Sequence, residues 1–263
     1  ELTVIRSIIR DNQAICSARD GSWGGGIYVA SGGILDVRET IMTGNFAIMS
    51  YNAGSKPLGG AIYNAGTLSL RNVLMAHNYA RNSSGWVKSA GDGLHQVSGS
   101  AVLVNCTIVS NVYSSGNNVG IYYDGGTITL TNTIVTGHDD DLANFALDAE
   151  QGYWPDVWYS VIGGDDRNDG WQGCLAVDPL FADHVNYHLQ STVGNWTNGY
   201  FDGGVFGDSG SWTTAASDSP LIGRGLPTSD GTRINIGAYG NTEVAAQAAV
   251  ADSAPTVSNP GAQ

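Results

Sequence analysis

Apolar residues gather into five eight-residue segments, 2–9, 35–42, 68–75, 102–109 and 128–135, whose starts lie 33, 33, 34 and 26 residues apart. The segments open with alternation, as at Leu68 and Leu70 or Ile128 and Leu130, the period of a strand with one buried face. Helical periodicity is absent. Four segments lead to the same residue, Asn12, Asn45, Asn78 and Asn111, and the fifth leads to His138. A second element keeps the same phase: Gly25-Gly26-Ile27-Tyr28, Gly60-Ala61-Ile62-Tyr63, Gly93-Leu94-His95 and Gly120-Ile121-Tyr122. The pairs Ser31-Gly32, Ala65-Gly66, Ser98-Gly99 and Gly125-Gly126 introduce each new segment.

A period near 30 with two short strands per unit describes repeats that cannot bury their faces alone and make a core only by stacking. Equivalent strands then run parallel, and the handedness rule for crossovers favours a right-handed coil. Propeller blades need about 40–50 residues each, more than these units supply. The pattern therefore predicts an all-β, single-stranded, right-handed parallel β-helix of about 8–10 coils, with Leu2, Leu35, Leu68, Val102 and Ile128 in one buried column. We expect one domain over 1–242: regular coils over 1–138, a Trp- and Asp-rich insertion over 139–173 with a strand near 157–162, and shorter coils over 174–242. Residues 243–263 read as a polar tail or linker to a following module, with one or two helical turns near 245–251. Glu1 opens straight into a strand pattern, so further coils or a neighbouring subunit are expected at that end.

Composition narrows this. Glycine at 37 of 263 residues and charged residues at only 13% oppose helical bundles, while 42% hydrophobic content with 7 Trp and 12 Tyr opposes disorder. The net charge of -13 opposes nucleic acid and anionic membranes as partners, and no apolar run is long enough for a membrane span. Cys16, Cys106 and Cys174 are too few and too dispersed for a zinc signature or disulfide framework and read as small core residues.

The units Gly24-Gly25-Gly26-Ile27-Tyr28, Gly66-Thr67-Leu68-Ser69-Leu70-Arg71-Asn72 and Asn105-Cys106-Thr107-Ile108-Val109-Ser110-Asn111 resemble the β-helix repeats of secreted bacterial proteins of the pectate-lyase-like superfold. Asp178-Pro179-Leu180-Phe181, Tyr187-His188-Leu189-Gln190-Ser191, Asp218-Ser219-Pro220-Leu221-Ile222 and Arg233-Ile234-Asn235-Ile236-Gly237-Ala238-Tyr239-Gly240 resemble the C-terminal part of the choice-of-anchor Q type. Where that type has an Asp-Ala-Gly run after Ser219-Pro220, this chain has Gly223-Arg224-Gly225, so no role of that carboxylate carries over. The resemblance implies a secreted or surface location. A lyase of this superfold would use Ca²⁺ to neutralise a uronate and an Arg or Lys as base.

Candidate chemistry follows from the columns. Asn72 and Asn132 share a segment position with Arg6, Glu39 and Cys106, and stacked amides can bond one another along the repeat. The column ending in Asn111 reads likewise, Asn tolerating a left-handed corner. Tyr28, Tyr63, His95 and Tyr122 alternate with inward Ile27, Ile62, Leu94 and Ile121, so they should face outward one per coil, as a strip for stacking a glycan or as a shield for the sheet. Trp154, Trp158 and Trp171 add aromatic candidates in the insertion. Asp165, Asp166 and Asp169 are the candidate Ca²⁺ ligands, though neither they nor Asp139-Asp140-Asp141 match an EF-hand loop. Arg167 is the one base candidate with acidic neighbours. Asp36 and Glu39, the carboxylates of the segments, have opposite parity in one strand and make no hydrolase pair. The sequons at Asn82, Asn105 and Asn195 are read as chance.

These features favour a non-catalytic extracellular module, a stiff spacer or adhesive scaffold touching polysaccharide along one face, with no cofactor required. A polysaccharide lyase or other carbohydrate-active enzyme is the alternative.

Overall fold

In the computed structural model, which describes residues 1–17, 21–49, 57–82, 91–112, 118–144, 155–163, 170–200, 210–229 and 231–248, each alternating segment pairs in parallel with its counterpart in the next layer. The largest sheet has ten strands. Its registers set Leu2 beside Leu35, Leu35 beside Leu68, Leu68 beside Ala101, Ala101 beside Ile128 and Thr129 beside Asp156. The layers therefore advance by 33, 33, 33, 27 and 27 residues. A second parallel sheet contains Gln13–Cys16, Phe46–Met49 and Tyr79–Asn82, and a third contains Ile27–Val29, Ile62–Asn64, Leu94–Gln96, Val119–Tyr123 and Asp140–Asn144. The described chain is all-β, with six layers and no α-helix.

The fourth segment is corrected by one residue. Ala101, not Val102, belongs to the column of Leu35 and Leu68; Val102 pairs with Ser69 and Thr129 and faces solvent. A strand has period two, so a one-residue offset exchanges its faces. The same correction puts Asn105, not Cys106, in register with Asn72 and Asn132. Leu2 lies in the predicted column but is exposed, since among the described residues only Leu35 covers it.

Each segment bends once. Arg6, Glu39, Asn72, Asn105, Asn132 and Tyr159 all have φ between 45° and 52°, a left-handed bend that Asn tolerates better than most residues. Before the bend the strand alternates, with Leu68 and Leu70 buried and Ser69 and Arg71 exposed. Beyond it Val73, Leu74, Met75 and Ala76 are all buried, because both faces are covered. Met42, Met75, Ile108 and Val135 point into the enclosed core, while Ile41, Leu74 and Val109 pack outward against Tyr187, Trp196, Ala238 and Tyr239.

That outer cover is the C-terminal part of the chain. The shorter coils expected over 174–242 are not parallel strands: the described residues there form one antiparallel ribbon, Asn195–Thr197 with Ser211–Thr213, and isolated antiparallel bridges. This segment straps across the bends. Asn72 Nδ2 donates to Ala238 O at 2.8 Å and Gly240 O at 2.9 Å, and Asn105 Nδ2 to Gly240 O at 3.1 Å, while Asn132 Oδ1 accepts Leu226 N at 2.6 Å. The amides of the bend therefore bind the strap rather than one another. No helical turn forms in the described part of 245–251.

The second asparagine column does form a ladder. Asn12 Nδ2 donates to Asn45 Oδ1, Asn45 Nδ2 to Asn78 Oδ1 and Asn78 Nδ2 to Asn111 Oδ1, each at 2.9 Å. Each Oδ1 also accepts the backbone N–H of the Asn before it, at 3.2, 3.0 and 2.9 Å. The left-handed residue at this corner is the one preceding, Asp11, Gly44, His77, Ser110 or Gly137, so Asn is placed here for its amide and not for its φ. The ladder ends on His138: Nε2 lies 3.1 Å from Asn111 Nδ2, and Nδ1 lies 2.6 Å from Asp141 Oδ1.

The recurrent glycines have a steric cause. A Cβ on Gly25 would collide with the carbonyl oxygen of Gly60, and one on Gly60 with that of Asp92, so successive backbones approach too closely there for any other residue. Cys16, Cys106 and Cys174 are all free, the latter two buried. Burial pushes the Cys106 thiol up to about 12, so it serves as a small core group.

The ladder predicts a graded mutational cost. Asn78→Ala removes the acceptor of the Asn45 N–H and the amide that donates to the carbonyls of Met42 and Ala76 and should destabilise by about 3 kcal/mol, whereas Asn12→Ala at the exposed end should cost less than about 1 kcal/mol. Urea titration measures both, and equal losses would contradict an interior ladder.

Candidate functional site

The third sheet places the outward aromatic column in register: Tyr28 beside Tyr63, Tyr63 beside His95 and His95 beside Tyr122. Alternation buries Ile62, Leu94 and Ile121 on one side and sends the rings to the other, as expected. The rings do not lie open as separate platforms. They stack on one another, with centroids 5.2, 5.3 and 5.3 Å apart and planes within 12° of parallel. His95 is fully buried between its neighbours, Tyr63 and Tyr122 are half-buried, and Tyr28 is 49% exposed. The ring faces inside the column are thus occupied by other rings, which leaves the Tyr edges and the Tyr28 end accessible.

Two members of this site were missed from sequence. Trp23, in Ser22–Trp23 at the corner before Gly24, stacks at 6.2 Å on Tyr28 and 5.8 Å on Tyr63 and is 42% exposed. Asp124 stands two residues after Tyr122, hence on the same face, and its Oδ2 lies 3.0 Å from His95 Nε2, within ion-pair reach but without hydrogen-bond alignment. His95 Nδ1 has no hydrogen-bond partner among the described residues. Burial, then Tyr28 and the Asp124 carboxylate, raises the Tyr63 hydroxyl above its ordinary value. Parity would have found Asp124; Trp23 approaches across a corner, where strand periodicity gives no signal.

Of the remaining candidates, the structure describes only Trp158 and the backbone of Trp171. Trp158 lies on Asp156–Trp158, exposed, its indole N–H donating to Asp156 Oδ1 at 2.7 Å. Trp171 lies in the 3-10 turn Trp171–Gly173. Trp154, Asp165, Asp166, Arg167 and Asp169 lie outside the described residues. Among the described residues no group of three or more His, Cys, Asp or Glu comes together to hold a metal ion. Arg38 pairs with Asp36 at 2.5 Å, and Arg6 pairs with Glu39 at 2.6 Å across the first layer step. Beside that second pair, under the strap residues Asn241, Thr242, Glu243 and Val244, lies a cavity of about 450 Å³.

Two buried groups carry displaced acidities. Burial pushes the Asp92 carboxyl up to about 7 against the opposing effect of backbone N–H donors from Ala80 at 2.7 Å and Val119 at 2.8 Å. Burial pushes His188 down to about 4; its Nε2 lies 2.8 Å from Gly199 O and its ring stacks on Tyr239 at 3.7 Å. Both act on the fold rather than on the aromatic column.

Compared with protein-family models, curated proteins and solved structures, the chain matches none.

The two buried groups predict opposing pH slopes. Asp92 binds a proton more tightly folded than unfolded, so its stabilisation is full below its ordinary 3.8 and is lost as pH rises toward 7. His188 binds a proton less tightly folded, so its contribution is full above 6.5 and is lost as pH falls toward 4. Between about pH 4.5 and 6.5 the two offset one another. Urea titrations there should show Asp92→Asn gaining stability with rising pH and His188→Gln losing it; parallel slopes in wild type and both variants would contradict the assignments.

Proposed function

We propose that the chain is a right-handed parallel β-helix of the pectate-lyase-like kind, serving as a non-catalytic module of a secreted or surface protein that touches polysaccharide through the exposed end of its ring column. The parallel, in-register pairing of successive layers in three sheets, at 33-residue steps over the first layers of the large and second sheets, supports the coil, since a chain that returns to the same point after each layer winds about one axis. Layer-spanning ladders make such a coil stiff along its length, which suits a spacer.

The exposed Trp23 and Tyr28 rings carry the glycan reading. Trp23 lies against Tyr28 and Tyr63 on one side, and both exposed rings sit at one end of the stack, where among the described residues no further ring stacks on them. A pyranose offers an apolar C–H face that stacks on such rings, each contact adding about 1 kcal/mol, so single-module affinity falls in the millimolar range and adhesion depends on repetition. The half-exposed edges of Tyr63 and Tyr122 then offer hydroxyls along the column. With a net charge of -13, the fitting ligand is a neutral glycan, because an acidic one is repelled.

Affinity electrophoresis on neutral and acidic polysaccharides tests this. Wild type should be retarded by at least one neutral polymer, and Trp23→Ala with Tyr28→Ala should abolish the retardation while the circular dichroism spectrum stays unchanged. Retention that survives the double substitution, or no retention of wild type by any neutral polymer, contradicts the assignment.

A further inference from the structure

The bend column changes its chemistry partway along the stack. At Asn72, Asn105 and Asn132 the bend amide bonds the strap. In the two layers before Asn72 the same position holds Glu39 and Arg6, which bond each other at 2.6 Å instead. The cavity of about 450 Å³ lies here, between the bends and residues 241–244 of the strap. Its floor takes one bend residue from each of three successive layers, Arg6, Glu39 and Asn72, so it follows the side of the stack for two layer steps, about 10 Å.

The lining is rich in acceptors. Asn72 is 8% exposed, and both hydrogens of its Nδ2 are committed, to Ala238 O at 2.8 Å and Gly240 O at 2.9 Å. Its Oδ1 accepts no hydrogen bond from the described residues, whereas Asn132 Oδ1 in the same column accepts Leu226 N at 2.6 Å. The strap thus holds the Asn72 amide in place and leaves its one unpartnered atom to the cavity that the residue lines. A carbonyl so placed calls for a donor, because a polar atom withdrawn from water without a partner costs about 1–3 kcal/mol. Glu39 takes Arg6 on its Oε2 alone. Glu243 brings a second carboxylate from the strap, close enough to add to the effect of Glu39 in holding the Arg6 guanidinium above its ordinary value. Two carboxylates against one guanidinium leave one negative charge in excess.

We propose that this cavity binds a protonated amine flanked by hydroxyls, the chemistry of an amino sugar. The ammonium meets the Glu39 and Glu243 carboxylates, a hydroxyl donates to Asn72 Oδ1, and the remaining Arg6 N–H groups meet the ligand's oxygens. A volume of about 450 Å³ is in the range of small-molecule sites, and a net charge of -13 draws a cation toward the protein. A divalent metal ion also seeks oxygen, but a guanidinium in the same lining opposes it. The site belongs to the large sheet and the strap, whereas the ring column belongs to the third sheet, so it stands or falls independently of the glycan reading.

Nuclear magnetic resonance titration of the full chain with D-glucosamine at about pH 6, where the amine is protonated, tests it. The side-chain amide of Asn72 and the backbone amides of 241–244 should shift and saturate with a Kd of about 1 mM. Glucose and N-acetylglucosamine, which carry no charge, should bind about ten-fold more weakly or worse. Glu243→Gln should weaken glucosamine about ten-fold by removing a charge-assisted hydrogen bond, and Glu39→Gln, on the opposite wall, should do the same if the strap variant alters the fold. Asp178→Asn, which removes an equal charge outside the lining, should leave the affinity unchanged.

Equal affinity for the three sugars, shifts confined to residues outside the cavity, unchanged affinity in both Glu variants, or no saturable shift up to about 50 mM overturns the proposal. Calcium chloride that produces the same shifts and displaces glucosamine at lower concentration assigns the cavity to a metal ion and overturns it as well.

Discussion

A parallel, in-register layer lays every side chain against its own counterpart about 4.8 Å away, and that single constraint decides which residues this chain can use. Apolar residues tolerate it by forming columns. Aromatic rings tolerate it by stacking, and Asn tolerates it because its amide is both donor and acceptor, so identical residues satisfy each other. Hydroxyls manage by donating within their own layer and accepting from the one before. Charge tolerates it badly, because like meets like: Arg38 stands directly beside Arg71, and Arg38 is neutralised by Asp36 in its own strand. A charged fraction of 13% follows from this geometry more than from any partner.

The change in layer length has a structural counterpart. The first 33-residue layers carry strands in all three sheets, whereas among the described residues no strand joins the second sheet after Tyr79–Asn82, and the later layers are six residues shorter. Within the described residues the ladder continues past this point to Asn111 and His138, so the corner persists into the shorter layers. His138 ends the run by offering an acceptor to Asn111 and passing its other nitrogen to Asp141. The C-terminal strap then covers the outer face of the large sheet and supplies partners to the bend asparagines. That second role explains why the bend amides escape the self-pairing that the stack otherwise imposes.

What was legible in the sequence was what repeats. Asn12, Asn45, Asn78 and Asn111 announce their ladder because identical residues recur at one spacing. The phase of the fourth segment is hidden because Ala101 is too small to mark the start of an apolar run, whereas Val102 beside it does. The continuous apolar stretch Val73-Leu74-Met75-Ala76 carried a signal of burial on both faces, but not of what does the burying. The strap's contacts join residues far apart in the chain, 94 positions for Asn132 and Leu226 and 135 for Asn105 and Gly240, with no periodicity to betray them. In the aromatic column, alternation located Tyr28, Tyr63, His95 and Tyr122 correctly, yet could not tell that their faces would be spent on each other.

The central claim, a uniform stack of in-register layers, is tested most directly by pulsed electron paramagnetic resonance. Spin labels would be placed at Thr3 and, in turn, at Asp36, Ser69, Val102 and Thr129, the registered outward positions of successive layers, in a chain with Cys16 replaced by Ser. The account predicts separations that grow by equal steps of about 4.8 Å per layer, reaching about 19 Å at Thr129. Separations that rise irregularly, or that shrink again at the fourth or fifth position, would contradict it.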